Sequence, residues 1–89
     1  MIERQATIVN QEGLHARPAA RIVRLASTFE SDIELVKDGL DVNGKSIMGV
    51  MMLAAEYGAT LKLRADGPDA EQALSAIATL IESKFGEST

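Results

Sequence analysis

The chain has 89 residues, 46% of them hydrophobic and 25% charged, with 9 Lys and Arg against 13 Asp and Glu for a formal net charge of −4. That length supplies one small domain, residues 1–89, with a single core, and the acidic balance argues against a nucleic-acid binder. With no Cys and one His the chain lacks the ligands of a tetrahedral zinc cluster, a disulfide framework and a thiol nucleophile, and no apolar run approaches the roughly 20 residues of a membrane helix.

Met1-Ile2-Glu3-Arg4 leads straight into a strand pattern without a signal peptide, so a cytoplasmic protein without membrane contact or metal is expected. Over residues 2–9, Ile2, Ala6 and Ile8 share one face and Glu3, Gln5 and Thr7 the other, the alternation of a half-buried strand. Residues 10–13 form a loop. From 16 to 29, Ala19, Ile22, Val23, Ala26 and Phe29 recur at helical spacing. Ile33 and Leu35 alternate with Asp32 and Glu34 in a second strand. Asp38-Gly39 supplies a tight hairpin turn, and residues 40–43 return as a third strand. Gly44 breaks the pattern, and Ser46 caps a short helix running to about Ala54.

Tyr57-Gly58 ends that segment, and residues 60–66 form a fourth strand on Leu61, Leu63 and Ala65. After the Gly67-Pro68 turn, Asp69 with Gln72 three residues on gives a capping-box pattern. The helix that follows buries Ala70, Ala73, Leu74, Ile77, Leu80 and Ile81, with Phe85 as a further candidate. Gly86 stops it, and residues 86–89 are expected to be disordered and clear of His15. The element order is βαββαβα. One apolar face per strand and one apolar stripe per helix give an α+β fold, a two-layer open-faced sandwich of a four-stranded antiparallel sheet with three helices on one side. Periodicity leaves the strand order open.

The only histidine, His15, stands just before the helix over residues 16–29. The amides of Ala16 and Arg17 then have no acceptor inside the helix and point near the imidazole, and Pro18 needs none. The positive helix end and the Arg17 guanidinium favour a neutral, nucleophilic ring and suit the oxygens of a phosphoryl group placed on it. Arg17, Arg21 and Arg24, at i, i+4 and i+7, share one helix face; the plain reading is a solvated face, the functional one a docking stripe for an acidic protein. Ser46 is first of all a cap. In the helix after it, Ile47, Met48, Val50, Met51, Met52 and Leu53 exceed what one face can bury, and Ile47, Met48 and Met51 are assigned outward. Gly44-Lys45-Ser46 lacks the upstream Gly of a phosphate-binding loop.

Gly13-Leu14-His15-Ala16-Arg17-Pro18-Ala19 resembles the active-site signature of the HPr family, the histidine-containing phosphocarriers of the bacterial phosphoenolpyruvate-dependent phosphotransferase system, and Lys45-Ser46 with the apolar residues after it resembles that family's regulatory serine segment. The resemblance covers the whole chain. It implies a strand order of 1-4-2-3, phosphorylation of His15 on Nδ1 by Enzyme I, transfer to Enzyme IIA proteins, and stabilisation of the phosphoryl group by Arg17 and the Ala16 amide. It implies Ser46 as the target of an ATP-dependent kinase/phosphorylase and Ile47, Met48 and Met51 as part of a patch that the partners share; docking is expected on these together with Arg17, Ala20, Arg21 and Arg24, with a transcription regulator as a further partner. A monomer without a cofactor is expected. Two other readings stay open on the residues alone: a regulatory module, nitrogen-type or transcription-linked, that works by protein binding without sugar transport, and a small adaptor without covalent chemistry.

Overall fold

The computed structural model describes residues 1–89. The elements are β1 (Ile2–Thr7), α1 (Ala16–Ala26), β2 (Asp32–Lys37), β3 (Leu40–Asn43), α2 (Ile47–Met52), β4 (Thr60–Asp66), α3 (Ala70–Glu82) and a terminal left-handed turn (Lys84–Gly86). The strands form one antiparallel sheet in the order β1-β4-β2-β3, as the family resemblance implies. No helix is long and apolar enough to cross a membrane.

Register explains why the sheet has one dry face. Ala6 pairs Leu61, Leu63 pairs Leu35, and Leu35 pairs Val42, so the apolar set of every strand lies under the helices. Ile22, Leu35, Leu61, Leu63, Ile77, Ile81 and Phe85 are fully buried in the resulting core. The polar set faces solvent. There Arg64 of β4 donates from Nε to Glu3 of β1 at 2.9 Å and from Nη1 to Asp41 of β3 at 3.4 Å, with Glu34 of β2 at 3.9 Å, so one guanidinium spans all four strands.

Three boundaries fall short of the sequence pattern. Regular β1 pairing ends at Thr7, although Ile8 still donates to Ala59 at 2.8 Å. Helix α1 ends at Ala26 because the Thr28 hydroxyl donates to the Leu25 carbonyl at 2.7 Å and the Thr28 and Phe29 amides reach back only three residues. Helix α2 closes the same way at Leu53 and Ala54, the latter in the left-handed region at φ 49°.

The capping-box expectation at Asp69 is corrected. Its side chain makes no bond to the first turn of α3. It instead accepts from the Glu30 amide at 2.9 Å, the Ser31 amide at 3.0 Å and the Ser31 hydroxyl at 2.6 Å, tying the start of α3 to the entrance of β2.

Candidate active site

The loop before α1 is held by its own backbone. The Gly13 amide donates to the Asn10 carbonyl at 3.1 Å, Asn10 Nδ2 donates to the Gly13 carbonyl at 2.8 Å, and the Leu14 amide donates to Ala55 at 2.8 Å. Gly13 has φ +70°, and a Cβ there would lie 2.7 Å from the Ala55 oxygen, so the close approach of the two loops requires glycine. This clamp fixes His15 as the N-cap of α1 with extended backbone (φ −77°, ψ −172°), its carbonyl accepting from Ala19 at 3.0 Å and its side chain free of capping. The amides of Ala16 and Arg17 open the helix without intrahelical acceptors.

The imidazole is 37% exposed, enough to be reached from solvent. It opens on a cleft shared with Glu12, Ala16, Arg17, Glu87, Ser88 and Thr89. Two carboxylates meet its Nε2: Glu87 Oε2 at 3.0 Å and Glu12 Oε1 at 3.5 Å. The potential around the ring is therefore positive on the side of the helix end and Arg17, and offset by acid on the Nε2 side. That offset was not legible in the local sequence, since Glu87 lies 72 positions away.

The expectation of a disordered tail clear of His15 is overturned. Glu87 accepts from Asn10 Nδ2 at 3.1 Å as well as meeting the ring, and the Gln11 amide donates to the Thr89 main-chain oxygen at 2.6 Å. Arg21 Nη1 donates to the Phe85 carbonyl, and Phe85 is fully buried. Phe85 itself follows the helical spacing of α3; the contacts after it are long-range and leave no local pattern.

The arginine stripe divides by task. Arg17 lines the cleft, Arg21 is bonded to the tail although exposed, and Arg24 is exposed in the last turn of α1. Ala20 is half-buried beside them. Helix α2 packs against α1. Ser46 caps α2, its hydroxyl accepting from the Gly49 amide at 3.1 Å. Ile47, Met48 and Met51 point outward at 43%, 73% and 44% exposure, while Val50 and Leu53 are buried. The apolar surface is wider than the sequence assignment: Met52 and Tyr57 are also exposed, and the i, i+4 spacing of Met48 and Met52 was the available signal.

Residues 2–83 match the family model described as PTS HPr component phosphorylation site. The chain belongs to the HPr family of phosphotransferase-system phosphocarriers. It is 52% identical over 87 residues to the phosphocarrier protein HPr of Treponema pallidum, covering 98% of this chain and 99% of that one. It is 48% identical over 87 residues to the HPr of Cupriavidus necator, with 98% of each covered. The crystal structure of HPr-C-His from Thermoanaerobacter tengcongensis superposes with a TM-score of 0.95 at 52% identity, over 100% of both chains.

Proposed function

We propose that His15 is the residue on which this phosphocarrier holds the phosphoryl group, bound at Nδ1 and passed from Enzyme I to Enzyme IIA proteins. One observation carries the reading: a half-exposed imidazole stands at a helix N-terminus, beside Arg17, with acid gathered at Nε2 only. A phosphoryl donor is repelled from the Nε2 side, and Nδ1 is left as the nucleophile. Helix-end amides and a guanidinium are donors suited to phosphoryl oxygens, so Arg17 and the Ala16 amide are assigned to stabilise them. The chain acts as a stoichiometric carrier, a cytoplasmic monomer of one domain over residues 1–89, and needs no cofactor of its own.

Docking of Enzyme I and Enzyme IIA is assigned to Arg17, Ala20, Arg21 and Arg24 with Ile47, Met48 and Met51. Their support is adjacency: α1 and α2 pack together, and the apolar side chains of α2 are uncovered. Ser46 is assigned as a regulatory phosphorylation site, because charge added at that cap lies beside the same apolar residues and opposes an acidic partner.

The test is incubation with phosphoenolpyruvate, Mg²⁺ and a catalytic amount of Enzyme I, for the native chain and His15→Ala. Intact mass is expected to show one acid-labile phosphate on the first and none on the second. An unphosphorylated native chain, or a phosphorylated His15→Ala, would overturn the assignment. ATP with an HPr kinase is expected to add a separate, acid-stable phosphate that Ser46→Ala abolishes.

A further inference from the structure

Glu87 lies outside residues 2–83 that the family model matches, yet both its oxygens are held at the site. Oε1 accepts from Asn10 Nδ2 at 3.1 Å, and Oε2 lies 3.0 Å from His15 Nε2. A carboxylate only accepts hydrogen bonds, so Nε2 carries the ring proton and donates it. In a neutral imidazole the lone pair then belongs to Nδ1. The orienting residue is well fixed: Asn10 is fully buried, and its Nδ2 also donates to the Gly13 carbonyl at 2.8 Å. The Glu87 side chain is 19% exposed, against 73% for Glu12 at its longer distance of 3.5 Å, so Glu87 is the nearer and more buried partner of the ring.

We propose that Glu87, oriented by Asn10, is a positioning residue for phosphoryl transfer: it holds His15 in the Nε2–H tautomer and presents Nδ1 to the donor. This rests on His15 being the phosphoryl acceptor. The Nδ1 lone pair forms the new N–P bond while the donor's bond to phosphorus breaks and its electron pair leaves with the donor. No proton has to leave His15. The ring gains positive charge shared with Nε2–H, and the Glu87 carboxylate stands where that charge develops. In the reverse direction the same bond keeps the proton on Nε2 while Nδ1 is released.

The test compares the native chain with Glu87→Ala and Glu87→Gln, each labelled with ¹⁵N at histidine. Long-range ¹H–¹⁵N correlation at about pH 8.5, where imidazole is neutral, reads the tautomer directly. Initial rates of phosphorylation by Enzyme I and phosphoenolpyruvate are measured on the same samples, with the backbone amide spectrum confirming the fold. The native ring is expected wholly as Nε2–H, and Glu87→Ala as a mixture with a rate about tenfold lower, the scale of one charge-assisted hydrogen bond. Glu87→Gln, which keeps an acceptor without the charge, is expected between them. An unchanged tautomer in Glu87→Ala overturns the proposal whatever the rate, and so does a changed tautomer with an unchanged rate. A native chain that takes no phosphate refutes the carrier role of His15 instead, and the tautomer comparison tells the two failures apart.

Discussion

Asp69 connects two stretches of chain that are 38 and 39 residues apart through the amides of Ser31 and Glu30 and the Ser31 hydroxyl. These bonds, the Ser31 hydroxyl first and the Glu30 amide next, hold its carboxyl below the usual aspartate range. The space around Ser31 is tight: Gly67 has φ +149°, and a Cβ there would fall 2.6 Å from Ser31 Cα. A carboxylate with a depressed pKa adds stability at pH values above its unfolded range and loses it as the pH falls through the lowered value. Asp69→Asn is therefore expected to lower Tm by about 5 °C at pH 7, with the deficit narrowing as the pH is taken below about 4. Thermal unfolding followed by circular dichroism at neutral and acidic pH checks both parts; a deficit that persists undiminished in acid contradicts the ionic origin. The same residue shows a limit of local pattern. Asp-x-x-Gln before an apolar run reads as a cap whichever amides the carboxylate chooses, and the better donors here come from another element.

At the scale of elements, α2 was legible where its own period decided the outcome. Ser46 could be read as the cap, and six apolar residues in the seven positions 47–53 cannot all be buried at 3.6 residues per turn. The faces sort accordingly, with Val50 at 0% exposure and Met48 at 73%. Helix α1 was legible in its buried stripe of Ala19, Ile22 and Ala26 but not in its end, because the Thr28 hydroxyl competes for a helical carbonyl. The exposed face of α2 yields a separable prediction. Met48 fills no part of the core, so Met48→Asp is expected to change folding stability by less than about 0.5 kcal/mol. Removing an apolar anchor and adding a charge in the proposed docking surface is expected to weaken binding to Enzyme I by at least about tenfold. Urea unfolding and titration calorimetry read the two numbers; native affinity in Met48→Asp would move the docking surface away from α2.

For the molecule as a whole, the strands, their dry face and the place of His15 follow from residue alternation and helical period, while the strand order and the C-terminal closure do not. Alternation and helical period are local, and they fix Ala6, Leu35 and Leu63 on one side before any partner strand is known. The tail is placed by contacts that span the chain: Phe85 in the core, its carbonyl on Arg21, Glu87 on His15 and Thr89 on Gln11. The chain turns back to the site through three successive left-handed residues, Lys84, Phe85 and Gly86, with φ of 62°, 56° and 77°. Two of these are not glycine, a conformation that persists only where the surroundings over-determine it. The burial of the Phe85 ring is the contact large enough to do so, since deleting a fully buried Phe typically costs about 3–5 kcal/mol. Phe85→Ala is thus expected to lose stability on that scale and to undock residues 86–89, whereas Glu87→Ala leaves stability within about 1 kcal/mol because its side chain adds no core volume. Urea unfolding measures both stability differences, and hydrogen exchange at the Gln11 amide, which the Thr89 oxygen protects, measures the undocking. If Gln11 keeps its native protection in Phe85→Ala, the polar contacts at Glu87 and Thr89 hold the tail by themselves, and the left-handed turn is not maintained by the core.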